Sequence, residues 1–242
     1  MAERHTKYLS AEDKAVLATY GHNNGAGIGI RPAVLVVDVT YAFVGEERER
    51  ASEAAKKCRT ACGESAWQAV DALQDLLDAA RVKGFPVIYT KGGPRPDLQK
   101  LGAGSLKKAQ AEPVRTARNM RDRNDIVDEI APGPADIIIV KDKPSAFFGT
   151  PLLSYLVAMR VDSLFVTGGA TSGCVRASVV DAFSNNYRCT LVEDCCFDRF
   201  EASHDMSIFD LGAKYAAIAN INDAVNMIRG LPDNLFALGT AS

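Results

Sequence analysis

The chain has 242 residues, 47% hydrophobic and 24% charged, which is the makeup of a globular fold and a length for one large domain or two small ones. Its 28 basic and 30 acidic residues give a net charge of −2, so no cationic excess is available for a phosphate backbone, and nucleic acid is not an expected partner. No run approaches the ~18 apolar residues of a membrane span. The N-terminal MAERHTKYLSAEDKAVLATYG lacks the uninterrupted apolar stretch of a signal peptide, so a cytoplasmic setting with reduced thiols is expected.

Residues 1–30 precede the first strand pattern and are expected as an N-terminal arm or helix, with 31–242 as a single domain. Short runs rich in Val and Ile then recur: Ala33–Val37 before Asp38, Pro86–Thr90 before Lys91, Asp136–Val140 before Lys141, Ser163–Thr167 before Gly168, and Arg188–Val192 before Glu193. A weaker run is Ala216–Ile221. Continuous rather than alternating apolar runs mark strands buried on both faces. Between them, Ser65–Lys83 places Trp67, Val70, Leu73, Leu76, Leu77 and Ala80 on one helical face, closed by Gly84. Thr150–Met159 carries Pro151 at a helix start, and Ser172–Ser184 and Ala202–Tyr215 complete the alternation. The expectation is an α/β fold of three layers: a six-stranded, mainly parallel sheet with helices on both faces. The polar, basic stretch 92–125 reads as a long excursion of the kind that forms lids or interface arms.

Ligands of open parallel sheets bind beyond the carboxyl ends of the strands. Asp38, Lys141 and Cys174 fall on that edge, and they would meet in one cleft if strands one, three and four were neighbours. Cys174 follows GGATSG, where Gly168, Gly169 and Gly173 allow a tight strand-to-helix turn. A cysteine in the first turn of a helix is expected to have a lowered pKa, and the free amides there suit a developing oxyanion. Asp38 would take the thiol proton, and Lys141 would balance the charge and depress the thiol pKa. Cys58, Cys62, Cys189, Cys195 and Cys196 read as structural; the adjacent pair 195–196 lies at the end of the fifth strand pattern. Cys58 and Cys62, four apart, lack a second ligand pair for zinc. His5, His22 and His204 form no HxH or HExxH pattern, so no metal site is legible. Only His204 is placed to fold back towards Cys174.

The segments LVVDVTYAF (35–43), VKDKPSAFFGTPLLSYL (140–156), TGGATSGCVRASVVDAF (167–183) and LVEDCCFDRFEASHDMSIFDLGAKYA (191–216) resemble the isochorismatase-like cysteine hydrolases, from about Arg31 to Ile228. The likeness is strongest for the branch holding N-carbamoylsarcosine and maleamate amidohydrolases. The resemblance implies a Rossmann-like topology and an Asp-Lys-Cys triad at Asp38, Lys141 and Cys174. Lys143, two residues beyond Lys141, is not the lysine the pattern selects. A cis peptide is implied at Gly169–Ala170 or Ala170–Thr171, with amides of Ala170, Thr171 and Cys174 as oxyanion hole. Nicotinamidases of the family carry metal-binding histidines after the second strand; YTKGGPRPD (89–97) has none. Cys174 sets the chain apart from true isochorismatases, which lack it.

By resemblance Arg199 would bind a substrate carboxylate through its bidentate fork. Its other reading is an ion pair with Asp198, Glu193 or Asp194. Thr171 and Ser172 could hydrogen-bond the substrate, and Phe43, Phe147 and Phe148 could wall the site or pack the core. The expected activity is hydrolysis of a C–N bond of a small carbamoyl or amide acid, releasing ammonia through a thioester. No cofactor or metal is expected, and the partners are a small-molecule substrate and further copies of the chain, as a tetramer or dimer. The rivals are a neutral-amide hydrolase, for biuret or nicotinamide, and a non-catalytic oligomeric scaffold. A nucleotide-binding module is disfavoured, because DVTYAF after the first strand is no GxGxxG.

Overall fold

The structure is a computed structural model that describes residues 6–19, 27–93 and 122–236. Six parallel strands form one sheet: β1 (Pro32–Val37), β2 (Val87–Lys91), β3 (Ile137–Val140), β4 (Ser163–Gly169), β5 (Arg188–Phe197) and β6 (Ala217–Ala219). Their spatial order is β3-β2-β1-β4-β5-β6. The order reverses between β1 and β4, and that switch point opens a crevice beyond the strand ends.

The helices are α1 (Ala11–Thr19), α2 (Tyr41–Val44), α3 (Ala51–Lys57), α4 (Glu64–Val82), α5 (Leu152–Ala158), α6 (Arg176–Ser184), α7 (Glu201–Lys214) and α8 (Ile221–Gly230). The alternation of side chains along β1 sorts them into two layers. Val34 and Val36 face the core built on α4 and α8, with Trp67, Leu73, Leu76, Leu77, Val225 and Ile228. Ala33, Leu35 and Val37 face the opposite core, with Leu152, Leu156, Val179, Ile208 and Leu211 from α5, α6 and α7. Each of the buried leucines on α4 contributes about 1.5–3 kcal/mol relative to exposure.

Three expectations change. The third strand is an edge strand separated from β1 by β2, so strands one, three and four are not all neighbours. The fifth strand does not stop at Val192. A register shift between Val166 and Gly168 of β4 lets β5 bulge and then re-pair, with Cys196 opposite Gly168 and Phe197 opposite Gly169. Cys195 and Cys196 therefore lie inside a strand, fully buried, not past its end. Helix α8 follows β6 and was not foreseen; Asn220 caps it by accepting from the Asp223 amide. Of the expected 92–125 excursion, residues 94–121 lie outside the described residues. Ahead of α1, Lys7 pairs with Glu201 and the buried Asp205 of α7.

Candidate active site

Asp38 is the first residue beyond β1 and is buried, with φ 51°. Left-handed backbone is uncommon for a residue with a side chain, though Asp tolerates it better than most. Here it is held on both sides: the Asp38 amide donates to the Thr90 carbonyl (3.1 Å) and hydroxyl (3.2 Å), and the Thr40 amide donates to the Asp38 carbonyl (2.9 Å). The result aims the carboxylate across the sheet edge. The Thr90 hydroxyl donates to Oδ1 at 2.7 Å, and Lys141 Nζ donates to Oδ2 at 2.7 Å.

Lys141 reaches Asp38 from β3 across the end of β2, about two inter-strand spacings of ~4.8 Å. Only a long side chain can do this, and the Lys143 carbonyl holds the ammonium from its other side at 3.0 Å. Both members of the pair are buried, so each depends on the other for neutralisation.

Cys174 lies in a turn of π-helix, Thr171–Val175, that precedes α6, instead of in the first α-helical turn. The peptide Gly169–Ala170 before it is cis. Gly168, at φ +100°, lies against β1, where a Cβ would overlap the Val37 carbonyl oxygen; a Cβ on Gly169 would enter the Phe197 ring. The turn is pinned by polar bonds. Asp198 Oδ2 accepts from the Ser172 amide (2.8 Å) and hydroxyl (2.6 Å), and Oδ1 accepts from the Arg199 amide (2.8 Å). Ser178 donates to the Cys174 carbonyl (2.7 Å) and accepts from the Ala146 amide (2.9 Å), which ties the turn to the loop that follows Lys141.

Of the chain's six cysteines, five are buried and Cys174 alone is partly buried. Asp38 and Lys141 are the charged groups that act on its thiol. Burial, then the Asp38 charge, push the thiol up to about 12, against the smaller opposing effect of Lys141. The expected lowering by a helix start is thus reversed: the resting thiol is neutral, and its proton has an adjacent carboxylate to go to. A raised pKa does not single out Cys174, since burial pushes Cys62 and Cys189 to about 12 as well. The ion pair beside it does.

The remaining residues divide. The Thr171 hydroxyl is fully buried and donates to the Phe197 carbonyl at 3.0 Å, so it is turned into the protein and is not the substrate contact expected of it. The Ser172 hydroxyl is committed to Asp198 in the same way. His204 is hydrogen-bonded to Thr171 and is not among the groups acting on the thiol. Two of the acids offered as ion-pair partners for Arg199 are engaged with backbone amides, Asp198 with Ser172 and Arg199, and Asp194 with Ile221. The Arg199 guanidinium instead donates to the Thr60 carbonyl at 3.3 Å. Thr60 itself bonds the Ala42 carbonyl, and the Cys62 amide bonds the Phe43 carbonyl, so Arg199 is tied to the helix that follows Asp38. Phe43 is partly buried against the α4-side core, Phe147 is buried on the other side, and Phe148 is exposed.

Sequence reasoning passed over Thr90, Ser178 and Asp198 as site-builders. The signal for Thr90 was present: it is the polar residue closing the run PVIYT, at the register position opposite Val37. Among the described residues, no group of three or more His, Cys, Asp or Glu side chains could hold a metal ion, and no helix is long and apolar enough to cross a membrane.

This fold is that of a known class. The isochorismatase domain matches residues 32–223, and the chain belongs to that family. It is 29% identical over 208 residues to the maleamate amidohydrolase of Pseudomonas putida, covering 85% of this chain and 90% of that one. It is 27% identical over 213 residues to the N-carbamoylsarcosine amidase of an Arthrobacter species, covering 88% and 76%. A solved structure of a cysteine hydrolase from Pseudomonas syringae pv. phaseolicola shares the fold, with a TM-score of 0.70 at 20% identity over 83% of this chain and 93% of that chain.

Proposed function

We propose that the chain is an amidohydrolase of small carbamoyl or amide acids. One observation carries the reading: a partly buried thiol beside a buried Asp38–Lys141 ion pair at the carboxyl edge of a parallel sheet. The names of the two relatives support the substrate class.

In this reading Cys174 transfers its proton to Asp38 as sulfur attacks the substrate carbonyl carbon. Lys141 holds the carboxylate in place and keeps the site's charge balanced as the proton moves. The amides of Ala170, Thr171 and Cys174 receive the developing oxyanion. Collapse of the tetrahedral intermediate breaks the C–N bond, and Asp38 returns the proton to the leaving ammonia. Water then attacks the thioester, giving a proton to Asp38, and the acid product departs as the thiol reforms. Arg199 meets the substrate carboxylate, and Phe43 lines the site. Residues 31–242 act as one catalytic domain behind an arm formed by 1–30, as a homo-oligomer in the cytoplasm.

The test is ammonia release from maleamate and N-carbamoylsarcosine, beside neutral biuret and nicotinamide. Acid-bearing amides should turn over best. Arg199→Ala should reduce their kcat/KM by about 30- to 1,000-fold, mainly through KM, and touch neutral amides far less. Equal losses for both classes would take Arg199 out of the substrate site, and no ammonia from any of the four would contradict the substrate class.

A further inference from the structure

The hydroxyl of Thr171 has one proton and two neighbours that could take it. The Phe197 carbonyl oxygen lies 3.0 Å away and His204 Nδ1 lies 2.8 Å away. A carbonyl oxygen can only accept, whereas a ring nitrogen accepts or donates according to its proton. If Nδ1 were unprotonated, Thr171 could serve one partner only, and a buried oxygen–oxygen or oxygen–nitrogen contact would be left without a hydrogen. Both contacts are satisfied together only when Nδ1 carries the proton. Then His204 donates to Thr171, and Thr171 donates to Phe197.

That chain ends on the nucleophile turn. Thr171 is the first residue of the π-turn holding Cys174, and Phe197 is the last of β5. The next residues along, Ser172 and Asp198, are joined by two further bonds. Residues 171–172 are therefore clamped to 197–198, and His204 of α7 fixes the direction of the first bond in the clamp. We infer that His204 is a positioning residue for the nucleophile turn, acting through an Nδ1 proton donated to Thr171. Its effect on catalysis rests on the reading of Cys174 as nucleophile; its protonation state does not.

Nitrogen-15 NMR of the histidine ring, with the His204 signal assigned by its loss in His204→Gln, reads the proton directly. The inference predicts a protonated Nδ1 in the resting protein at neutral pH. A neutral ring protonated only at Nε2 would overturn it. The second readout compares isosteres. An Asn side chain places an N–H donor where Nδ1 stands, and Gln places one nearer Nε2. His204→Ala and His204→Gln should lower both kcat and the rate of Cys174 alkylation by iodoacetamide by about tenfold, with KM little changed. His204→Asn should recover most of the loss. Equal behaviour of the Asn and Gln variants would overturn the positioning role. Should Cys174→Ala keep turning over substrate, the nucleophile reading fails while the tautomer result still stands.

Discussion

Asp38 has two opposed effects on Cys174. Its charge helps to hold the thiol proton, yet it is the group placed to receive that proton. Asp38→Asn removes the charge and the base together, so the two observables should part. The thiol pKa falls, so alkylation by iodoacetamide at pH 7 should quicken relative to the parent. Ammonia release should fall by a factor of about 10² or more, since a positioned general base contributes that much. Slower alkylation in the Asn variant would show that Asp38 promotes the resting thiolate, contrary to the geometry. These residues were legible as three polar types on one sheet edge. Their energetics were not, because the rule that helix starts lower a cysteine's pKa takes no account of burial or of a carboxylate beside the sulfur.

At the scale of elements, the strand-to-turn passage at the end of β4 is the most demanding stretch of backbone. Gly168 and Gly169 look alike in sequence, but their surroundings differ. At Gly168 the positive φ and the overlap with the Val37 carbonyl are both backbone constraints; at Gly169 the obstacle is the far edge of a Phe197 ring, which can shift. Gly168→Ala should therefore cost about 3 kcal/mol or more of stability, and Gly169→Ala clearly less, as read by denaturant unfolding. Equal costs would mean that the register between β1 and β4 is softer than drawn. The strands and the helices α4 to α7 followed from apolar runs and 3.6-residue periodicity. The continuation of β5 through Cys195 and Cys196 did not, because Glu193 and Asp194 interrupt the run, and it is the bulge that carries them past the sheet. The order β3-β2-β1 was equally hidden, since periodicity says which segments are strands and nothing of which strands are neighbours.

For the whole molecule, the buried thiols predict a weakness in alkali. Burial pushes Cys62 and Cys189 up to about 12 and raises Cys195 and Cys196 as well, against 9.0 for a free thiol. The folded chain thus keeps protons that the unfolded chain gives up, and stability falls as pH rises. The contribution is present in full below pH 9.0 and is lost from there through about 12. By pH 10 Cys62 and Cys189 each cost the fold about 1 kcal/mol, and Cys195 and Cys196 act in the same direction. Tm measured from pH 7 to 10.5 should be level to about 9 and then drop steeply; a level Tm throughout would mean that the thiols are reached by water.

The central claim is that Cys174 forms a covalent acyl intermediate with an amide substrate. The direct measurement is the intact mass of the protein quenched in acid during turnover of maleamate or N-carbamoylsarcosine, paired with ammonia release by Cys174→Ala. The account predicts an acyl adduct on the Cys174 peptide that hydroxylamine removes, and no ammonia above background from the Ala variant, whose circular dichroism matches the parent. Ammonia release by a folded Cys174→Ala variant would contradict it.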